Sequence, residues 1–573
     1  MNGAEILVTM LRAHQVEVIF GLPGDTGISF YDALRAQDKI RHVLTRDERS
    51  SGFMADAYAR LSGKPGVCEG PSGGGATYIL PGVAEAHHSS IPLLVITSDN
   101  ALTMEHQGAL TALDQEALFR SVTKWSAVVK RAELIPHMVR RAFRLMTTGR
   151  TGAVHLAFPK DILDAAVDVH DLWADAACSV YPAYCTRPDP AAVARAAELL
   201  IAAKRPVMIC GGGGHLSRAY AEIEELAELL AMPVATSING KGALAETHPL
   251  SLGVIGANGG RAFAHEAVQN SDLILVVGSR VNYVTSNDGR APSKNHAGKV
   301  IQIDVDCAEI GNNLRIDAGL AGDARLALND LLAALKTESR RLPRAGTAET
   351  DAVARAKAAW WSSQSTKVFS DETPIRPQRV VGTLHDVLPE DAVIVADPGT
   401  ATPFIAANYP LRHAGRFTVI PRAHGGLGYG IPAALGAKMA RPGSTVVCLT
   451  GDGSFGFSAG ELETFVRLNV KVVVLQFNNG TFGWIKELQH LHKNDRYFGV
   501  DFLQQDCAAI ARSFGWHATR IEQPHDLAPA IRQALADERP SFVDVLSADQ
   551  TVETPPVISW LEVDAAAEKR QTG

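Results

Sequence analysis

Short apolar runs alternate with amphipathic stretches of helical spacing along almost the whole chain. Runs such as residues 446–449 and 472–475 have the length of buried strands and are far too short to cross a bilayer. Regular alternation of strands and helices is typical of parallel sheets, because a helix returns the chain to the start of the next strand. We therefore predict an α/β fold of doubly wound domains with mainly parallel sheets.

The chain of 573 residues is too long for one hydrophobic core, so several domains are expected. Two stretches, at 181–190 and 336–350, show neither strand nor helix periodicity, which is typical of linkers. In the middle block, strands are predicted at 206–210, 273–278 and 300–304. The expected division is 1–165, 188–340 and 375–550, followed by a C-terminal tail at 551–573 whose polar end frays.

Charge and cysteine usage exclude several classes of function. The formal net charge is −7 at pH 7 without a basic stripe, so we expect neither nucleic acid nor a membrane as a partner. Residues 1–20 lack the basic and apolar segments of a signal peptide. The seven cysteines form no CxxC pair, which favours reduced, buried thiols over a zinc site or disulfides. We expect a cytoplasmic protein.

The strongest chemical pattern lies in the third block, where two predicted strands end in polar residues. Gly451-Asp452-Gly453-Ser454 follows one strand and Asn478-Asn479 follows the next. Glycines at a strand end let the backbone approach a diphosphate, and open parallel sheets bind ligands at this edge. A carboxylate, an amide oxygen and a backbone carbonyl suit octahedral Mg²⁺. The pattern predicts a site for magnesium and a diphosphate.

This stretch resembles the thiamine diphosphate signature of the acetolactate synthase superfamily, which includes benzoylformate decarboxylase, pyruvate oxidase and glyoxylate carboligase. The resemblance implies three α/β domains: an N-terminal domain that binds the pyrimidine ring, a central domain, and a C-terminal domain that binds the diphosphate. It also implies that Asp452 and the Asn479 side chain bind Mg²⁺, with the backbone oxygen of Thr481 completing the protein ligands. Thiamine diphosphate and Mg²⁺ are therefore the expected cofactors.

Residues 45–60 (TRDERSSGFMADAYAR) resemble the acidic motif of the same family, with Glu48 at the place of its glutamate. Without the surrounding motif, Glu48 would be interpreted as an ordinary acidic residue in the first turn of a helix. In the family, a carboxyl group beside N1′ of the aminopyrimidine favours the tautomer whose N4′ takes the proton from C2 of the thiazolium. The resemblance thus assigns Glu48 as the catalytic residue that activates the cofactor.

Two further loops resemble family motifs. Residues 72–77 (SGGGAT) are similar to the family's loop beside the pyrimidine, although Gly74 replaces its proline. Residues 424–434 (HGGLGYGIPAA) resemble a loop of benzoylformate decarboxylase, and this match makes Leu427 the bulky residue between the two cofactor rings. The implied cofactor-binding set is Glu48, Ser72, Gly73, Thr400, Gly426, Leu427, Gly451, Asp452, Gly453, Ser454, Asn479, Thr481 and Phe482.

The expected substrate pocket departs from both relatives. Leu110-Thr111 stands where acetolactate synthases carry Phe-Gln, and Pro71 stands where benzoylformate decarboxylase carries a histidine. The set is mostly apolar, so we expect an apolar 2-oxo acid donor rather than a dicarboxylate. The pocket residues expected from the family are Pro71, Leu110, Thr111, His424 and Trp484.

The middle block leaves the question of a flavin open. The glycine run 211–214 does not make the GxGxxG motif of dinucleotide-binding folds. Some relatives bind FAD in this block, and Arg280 resembles an arginine of theirs. Residues 281–283 (VNY) replace the Phe-Asp-Asp stretch that is typical of acetolactate synthases, so the sequence favours a protein without FAD.

The leading hypothesis is a thiamine diphosphate-dependent lyase or transferase that decarboxylates a 2-oxo acid and then protonates the product or joins it to an aldehyde or ketone acceptor. The alternatives are a flavin-linked 2-oxo acid oxidase and a catalytically silent cofactor-binding protein; the presence of Glu48 argues against the latter. The family shares its cofactor between subunits, which implies at least a homodimer and commonly a homotetramer. The sequence does not identify donor or acceptor.

Overall fold

The computed structural model describes residues 1–338 and 348–564. The strands of the described residues form three sheets of six strands each, and the recorded pairs within each sheet are parallel, as between β4 and β6 or β16 and β18. This confirms the predicted α/β fold. The chain divides into two compact units, one of residues 1–184, 421–446 and 456–472, the other of 185–420, 447–455 and the described residues from 473 onward.

The first sheet has the strand order β2-β1-β3-β4-β6-β5. Its first helix begins at a capping box, in which Asn2 and Glu5 exchange side-chain to backbone hydrogen bonds. Buried apolar side chains of the strands and flanking helices form one core. The elements are β1 (Val18–Gly21), β2 (Arg41–Leu44), β3 (Gly66–Gly70), β4 (Leu93–Asp99), β5 (Trp125–Val128) and β6 (Ala153–Pro159), with α1 (Gly3–Ala13), α2 (Ile28–Arg35), α3 (Glu48–Ser62), α4 (Gly74–Tyr78), α5 (Leu80–His88), α6 (Gln115–Phe119), α7 (Ile135–Thr147) and α8 (Lys160–Asp164).

The second sheet has the order β12-β11-β10-β7-β8-β9 and its own apolar core. The three strands predicted here are confirmed, with ends shifted by at most one residue. The elements are β7 (Pro206–Cys210), β8 (Val234–Thr236), β9 (Ser251–Val254), β10 (Leu273–Val277), β11 (Lys299–Asp304) and β12 (Ala318–Ala321), with α9 (Pro190–Ala202), α10 (Gly212–Leu216), α11 (Tyr220–Leu229), α12 (Ala262–Gln269), α13 (Ala324–Thr337) and α14 (Ala348–Val368).

The third sheet has the order β14-β13-β15-β16-β18-β17. Its central strands β15 and β16 are buried along almost their whole length, which explains why they read as continuous apolar runs. The elements are β13 (Val393–Ala396), β14 (Thr418–Val419), β15 (Val446–Gly451), β16 (Val473–Asn478), β17 (His517–Ile521) and β18 (Ser541–Leu546), with α15 (Pro377–Val387), α16 (Ala401–Asn408), α18 (Asp452–Ser458), α20 (Gly483–Lys493), α21 (Cys507–Ser513) and α22 (Leu527–Ala536). Two further helices of this stretch, α17 (Gly430–Ala440) and α19 (Leu462–Arg467), belong to the first compact unit.

Strand order fixes where each sheet can bind a ligand. In the first sheet the order reverses between β1 and β3, and in the third it reverses between β13 and β15. At such a point the two loops at the carboxyl ends run to opposite sides of the sheet and leave a crevice. The predicted motif at 72–77 comes just after β3, and the one at 451–454 begins at the last residue of β15, so both lie at reversal points.

Several smaller expectations can be compared with the described residues. The predicted linker at 336–350 is too long, because α13 runs to Thr337 and α14 begins at Ala348; residues 339–347 lie outside the described part, as does the tail end 565–573. None of the seven cysteines, all within the described residues, forms a disulfide, but Cys185 and Cys307 are exposed rather than buried. Within the described residues, no helix is long and apolar enough to cross a membrane.

Candidate active site

Glu48 lies at the first position of α3. Asp47 caps this helix by accepting a hydrogen bond of 2.8 Å from the Arg49 amide. The Glu48 side chain is buried, and a Cβ atom added to Gly75 would lie 3.1 Å from its Oε1. Burial raises the pKa of the Glu48 carboxyl, and the negative charge of Asp47 raises it further. The arrangement gives a carboxyl group that holds a proton more readily than an exposed glutamate.

The loop after β3 brings Ser72 and Thr111 together. Their hydroxyl oxygens lie 2.8 Å apart, and Thr26 Oγ1 lies 3.3 Å from Ser72 Oγ on the other side. Gly73 has a φ of +65°, and a Cβ atom there would lie 2.7 Å from Thr111 Cβ. Only glycine therefore permits this turn beside Thr111. Pro71 packs within the same loop, where a Cβ atom on Gly75 would lie 2.4 Å from its ring.

Glu85 on α5 fixes the start of the loop that carries His424. Its carboxylate accepts hydrogen bonds of 2.8 to 3.3 Å from the backbone amides of Arg422, Ala423 and His424. It also pairs with the Arg60 guanidinium at 3.1 Å, and both side chains are buried. The loop is therefore anchored by its backbone at one end, while the His424 side chain itself is exposed.

Beyond this anchor the loop turns at two glycines, and a Cβ atom added to Gly425 would meet nothing within 4 Å. Gly425 and Gly428 have φ values of +74° and +82°, so the turn needs residues that tolerate the left-handed region. Gly426 faces the Phe53 ring, which would lie 3.4 Å from an added Cβ atom. Leu427, at the tip, is half-buried and thus retains apolar surface that a ligand can cover.

Asp452 lies at the carboxyl end of β15 and is held by three backbone amides. Its Oδ1 accepts a hydrogen bond of 2.8 Å from Gly453 N, and its Oδ2 accepts bonds of 2.9 and 2.7 Å from Asn479 N and Gly480 N. Burial nevertheless raises the pKa of Asp452 to about 6. A desolvated carboxylate in a fixed orientation, with the Asn479 side chain on the adjoining loop, has the donor set of a site for a hard divalent cation.

The two asparagines after β16 have different environments. Asn478 is buried and donates from Nδ2 to both oxygens of Asp544, at 2.9 and 3.1 Å. Asn479 Oδ1 accepts a hydrogen bond of 3.3 Å from Thr481 N. Thr481 donates its hydroxyl to Val500 O at 3.0 Å, so its side chain is bonded to the protein. This leaves the backbone oxygen of Thr481 as the atom through which it can bind a metal.

Glycine is required beside Phe482. A Cβ atom on Gly453 would lie 2.8 Å from the Phe482 ring, whereas one on Gly451 would meet nothing within 4 Å. Ser454, next in the chain, is buried. The ring of Phe482 thus closes one side of the turn, and the space in front of Gly451 stays open.

Thr400 lies across the reversal point, on the loop after β13. Gly399 before it has a φ of +97°, and a Cβ atom there would meet nothing within 4 Å. The Thr400 hydroxyl oxygen accepts a hydrogen bond of 2.9 Å from Gln550 Nε2. Sequence reasoning missed Gln550, because it follows β18 outside every recognised motif.

The expected pocket residues have unequal surroundings. Leu110 is 83% exposed, and only its backbone is bonded, with the carbonyl accepting from Asn100 Nδ2. Trp484 is half-buried and its ring contacts that of Trp560, with centroids 4.3 Å apart and planes tilted by 49°. A cavity of about 580 Å³ lies beside the segment after β4, but neither Leu110 nor Thr111 lines it. Thr111 contacts Ser72 through its hydroxyl, and Pro71 belongs to the same loop as Ser72.

A buried polar cluster near Glu48 was also missed. Glu69 at the end of β3 accepts a hydrogen bond from the Tyr31 hydroxyl, and its Oε1 lies 3.1 Å from His42 Nε2. Burial raises the pKa of Glu69, and its charge adds to the raised pKa of Glu48. The sequence contained one signal for this cluster, because Glu69 is a charged residue within a short predicted strand at 66–69.

The glycine run of the central sheet packs against a neighbouring loop. Gly213 N donates to Gly278 O at 3.0 Å, and a Cβ atom on Gly213 would lie 2.6 Å from Gly278 Cα. These loops follow β7 and β10, the strands between which the order reverses. The glycines therefore serve close backbone packing at this point.

Comparison with known proteins identifies the class. The N-terminal TPP binding domain of thiamine pyrophosphate enzymes matches residues 1–118, the central domain matches 193–331 and the C-terminal TPP binding domain matches 397–545. The chain belongs to the thiamine pyrophosphate enzyme family, as the motifs in the sequence indicated.

Curated relatives narrow the family further. The chain is 35% identical over 559 residues to the probable acetolactate synthase large subunit of Methanococcus aeolicus, covering 95% of this chain and 92% of the relative. It is 34% identical over 557 residues to the acetolactate synthase isozyme 3 large subunit of Escherichia coli (strain K12), covering 95% and 94%. These similarities confirm an acetolactate synthase-like, thiamine diphosphate-dependent decarboxylase or carboligase.

Proposed function

We propose that the chain uses thiamine diphosphate and Mg²⁺ to decarboxylate a small apolar 2-oxo acid and to join the remaining acyl unit to a carbonyl acceptor. Pyruvate is the first candidate donor, because several relatives bear the name acetolactate synthase. The observation that carries the proposal is a pair of carboxyl groups in the two TPP-binding domains: Glu48 is buried and lies against Gly75 in the segment after β3, and Asp452 is half-buried at the end of β15.

The residues present fit the two cofactors. Asp452, the Asn479 side chain and the Thr481 carbonyl would hold Mg²⁺, since the first is desolvated and already oriented by backbone amides. Gly451, Gly453, Ser454 and Thr400 would hold the diphosphate. The open side of Gly451 supports this assignment, because a phosphate oxygen can approach the backbone there.

The pyrimidine end of the cofactor would lie against the first sheet of a second copy of the chain, in line with the homodimer proposed below. Glu48 would exchange a proton between its Oε1 and the N1′ nitrogen of the pyrimidine ring, and its raised pKa supports this role. Ser72, Gly73 and Gly426 would line the pyrimidine, and Leu427 and Phe482 would supply apolar contacts. When bound, thiamine diphosphate supplies the carbon that adds to the donor carbonyl and accepts the electron pair released with carbon dioxide.

The chain's own residues would set the donor. Pro71, Leu110, Thr111, His424 and Trp484 remain the proposed pocket; they include no carboxylate, lysine or arginine that would select a dicarboxylate. The close packing of Gly213 on Gly278 supports a central domain without FAD. We also propose at least a homodimer and most readily a homotetramer, which sedimentation velocity of the purified chain will test.

The decisive experiment incubates the purified chain with thiamine diphosphate, Mg²⁺ and single 2-oxo acids, with and without aldehyde or ketone acceptors. Products are identified by mass. We expect carbon dioxide release and a carboligation product from pyruvate, and no product when thiamine diphosphate is omitted. A strong preference for 2-oxoglutarate contradicts the donor class, and product formation without thiamine diphosphate contradicts the mechanism.

A further inference from the structure

Gln550 is a buried polar residue whose side chain is only half bonded. It follows β18 by four positions and is 1% exposed. Its Nε2 donates a hydrogen bond of 2.9 Å to Thr400 Oγ1. Its Oε1 accepts no hydrogen bond from the described residues. This oxygen can therefore accept a hydrogen bond from a ligand that lies beside it.

The neighbours of Gln550 belong to the carboxyl edge of the third sheet. A Cβ atom on Gly483 would lie 2.9 Å from Gln550 Oε1 and 3.6 Å from Asn479 Nδ2. Gln550 therefore lies between the loop after β13, which carries Thr400, and the loop after β16, which carries Asn479. Both loops border the proposed sites for the diphosphate and Mg²⁺.

The direction of the hydrogen bond decides what the Thr400 hydroxyl can do. A hydroxyl that accepts from an amide N–H keeps its own hydrogen for another acceptor. The Gly399 side of this loop is open, since a Cβ atom there would meet nothing within 4 Å. The hydrogen of Thr400 is therefore available to an anionic oxygen on this side, where a charge-assisted bond is stronger than a neutral one.

We propose that Gln550 is a positioning residue for the diphosphate group of the cofactor. It holds the Thr400 hydroxyl as a donor to a phosphate oxygen, and its own Oε1 is left for a donor at the metal site, such as a water on Mg²⁺. The inference rests on the proposed function, because Thr400 and Asn479 receive their roles there. A glutamate cannot replace Gln550, since its carboxylate would accept the Thr400 hydrogen and add negative charge.

The test is a double-mutant cycle on the affinity of the full chain for thiamine diphosphate at saturating Mg²⁺, measured by calorimetry. We expect Gln550→Leu to weaken binding about tenfold, as for a lost hydrogen bond to a charged group. Gln550→Leu should cause almost no further loss in a Thr400→Val background, because the hydroxyl it positions is gone. In a Thr400→Ser background, which keeps the hydroxyl, the tenfold loss should return.

Two controls separate positioning from folding. Gln533→Leu, on the exposed face of α22, should leave the affinity unchanged. Gln550→Glu should bind at least as weakly as Gln550→Leu although it keeps the side-chain shape. Wild-type affinity in Gln550→Leu, or independent losses in the double mutant, would overturn the inference. A wild-type chain that binds no thiamine diphosphate would instead overturn the proposed function.

Discussion

Glu48, which is buried, and Asp452, which is half-buried, have carboxyl groups that the protein holds in two different ways. Asp452 accepts three backbone hydrogen bonds, so its orientation is fixed by the loops after β15 and β16. Glu48 is positioned by its place at the start of α3 and by packing against Gly70 and Gly75. Both pKa values are raised by burial.

The difference matches two kinds of chemistry. A metal ligand must present its oxygens in one geometry, and backbone amides provide this because they belong to rigid strand ends. A proton-transferring group must exist in both protonation states, and three amide donors would favour only the charged one. The comparison therefore supports the proposal that Asp452 binds the metal and that Glu48 takes part in catalysis, and the next two experiments test it.

The largest effect is expected for Glu48→Gln. The amide keeps the shape and the packing against Gly75 but cannot exchange the proton, so turnover should fall by a factor on the order of 10²–10⁴. Steady-state turnover and calorimetric affinity for thiamine diphosphate measure the two aspects separately, and the affinity should change little. Glu133→Gln, at an exposed position of the same domain, is the control. Turnover near that of the wild type would remove Glu48 from the reaction.

Asp452→Ala, unlike Glu48→Gln, should lose binding of the cofactor and Mg²⁺. The wild type should gain melting temperature when thiamine diphosphate and Mg²⁺ are added together, since a ligand that binds only the folded state stabilises it. The variant should lose this gain, because the proposed site loses its charged ligand. Asp391→Ala, an exposed residue of the same domain, should behave like the wild type. An equal gain in Asp452→Ala would contradict the metal site.

Another carboxyl group, the buried Glu487 on α20, extends the comparison to a residue with no assigned role. Burial raises its pKa to about 7; the charges of Asp549 and Asp564 add to this effect, and His490 opposes it. Because the folded-state pKa lies above the ordinary value, the contribution to stability is complete below about pH 4.5 and is lost as the pH rises through about 7.

Glu487→Gln should therefore remove a pH dependence of the free energy of unfolding rather than a function. The wild type should lose about 2 kcal/mol of unfolding free energy between pH 5 and pH 8 through this group, and the variant should not. Urea unfolding at both pH values measures the difference. Glu538→Gln, which is exposed, serves as the control; parallel curves for wild type and Glu487→Gln would show that burial of Glu487 carries no such linkage.

The smallest effect is expected for Trp484→Ala. If Trp484 borders the donor pocket, its loss should raise kcat/KM for a bulky or aromatic 2-oxo acid relative to pyruvate by about tenfold. Trp560→Ala removes the same contact between the two rings without changing the proposed pocket, so it should leave the ratio of the kcat/KM values unchanged. A ratio that shifts equally in both variants would place Trp484 in packing alone.

The sequence predicted longer strands well and the shortest strands poorly. The prediction at 206–210 coincides with β7, because five buried apolar residues in a row are a clear pattern. Strands β8 and β9 have three and four residues and were not predicted, because so short a stretch shows no recognisable strand pattern. Their strand conformation depends on neighbours in the sheet.

The sequence by itself determined the α/β alternation, the family and the positions of Glu48, Asp452 and Asn479, because each lies in a short contiguous motif next to a strand end. The tertiary structure decided which distant residues support those motifs. Ser72 meets Thr111 from 39 positions away, and Gln550 reaches Thr400 from 150 positions away. Such pairs form only when strand order brings separate loops to one edge of a sheet, and no local pattern records that order.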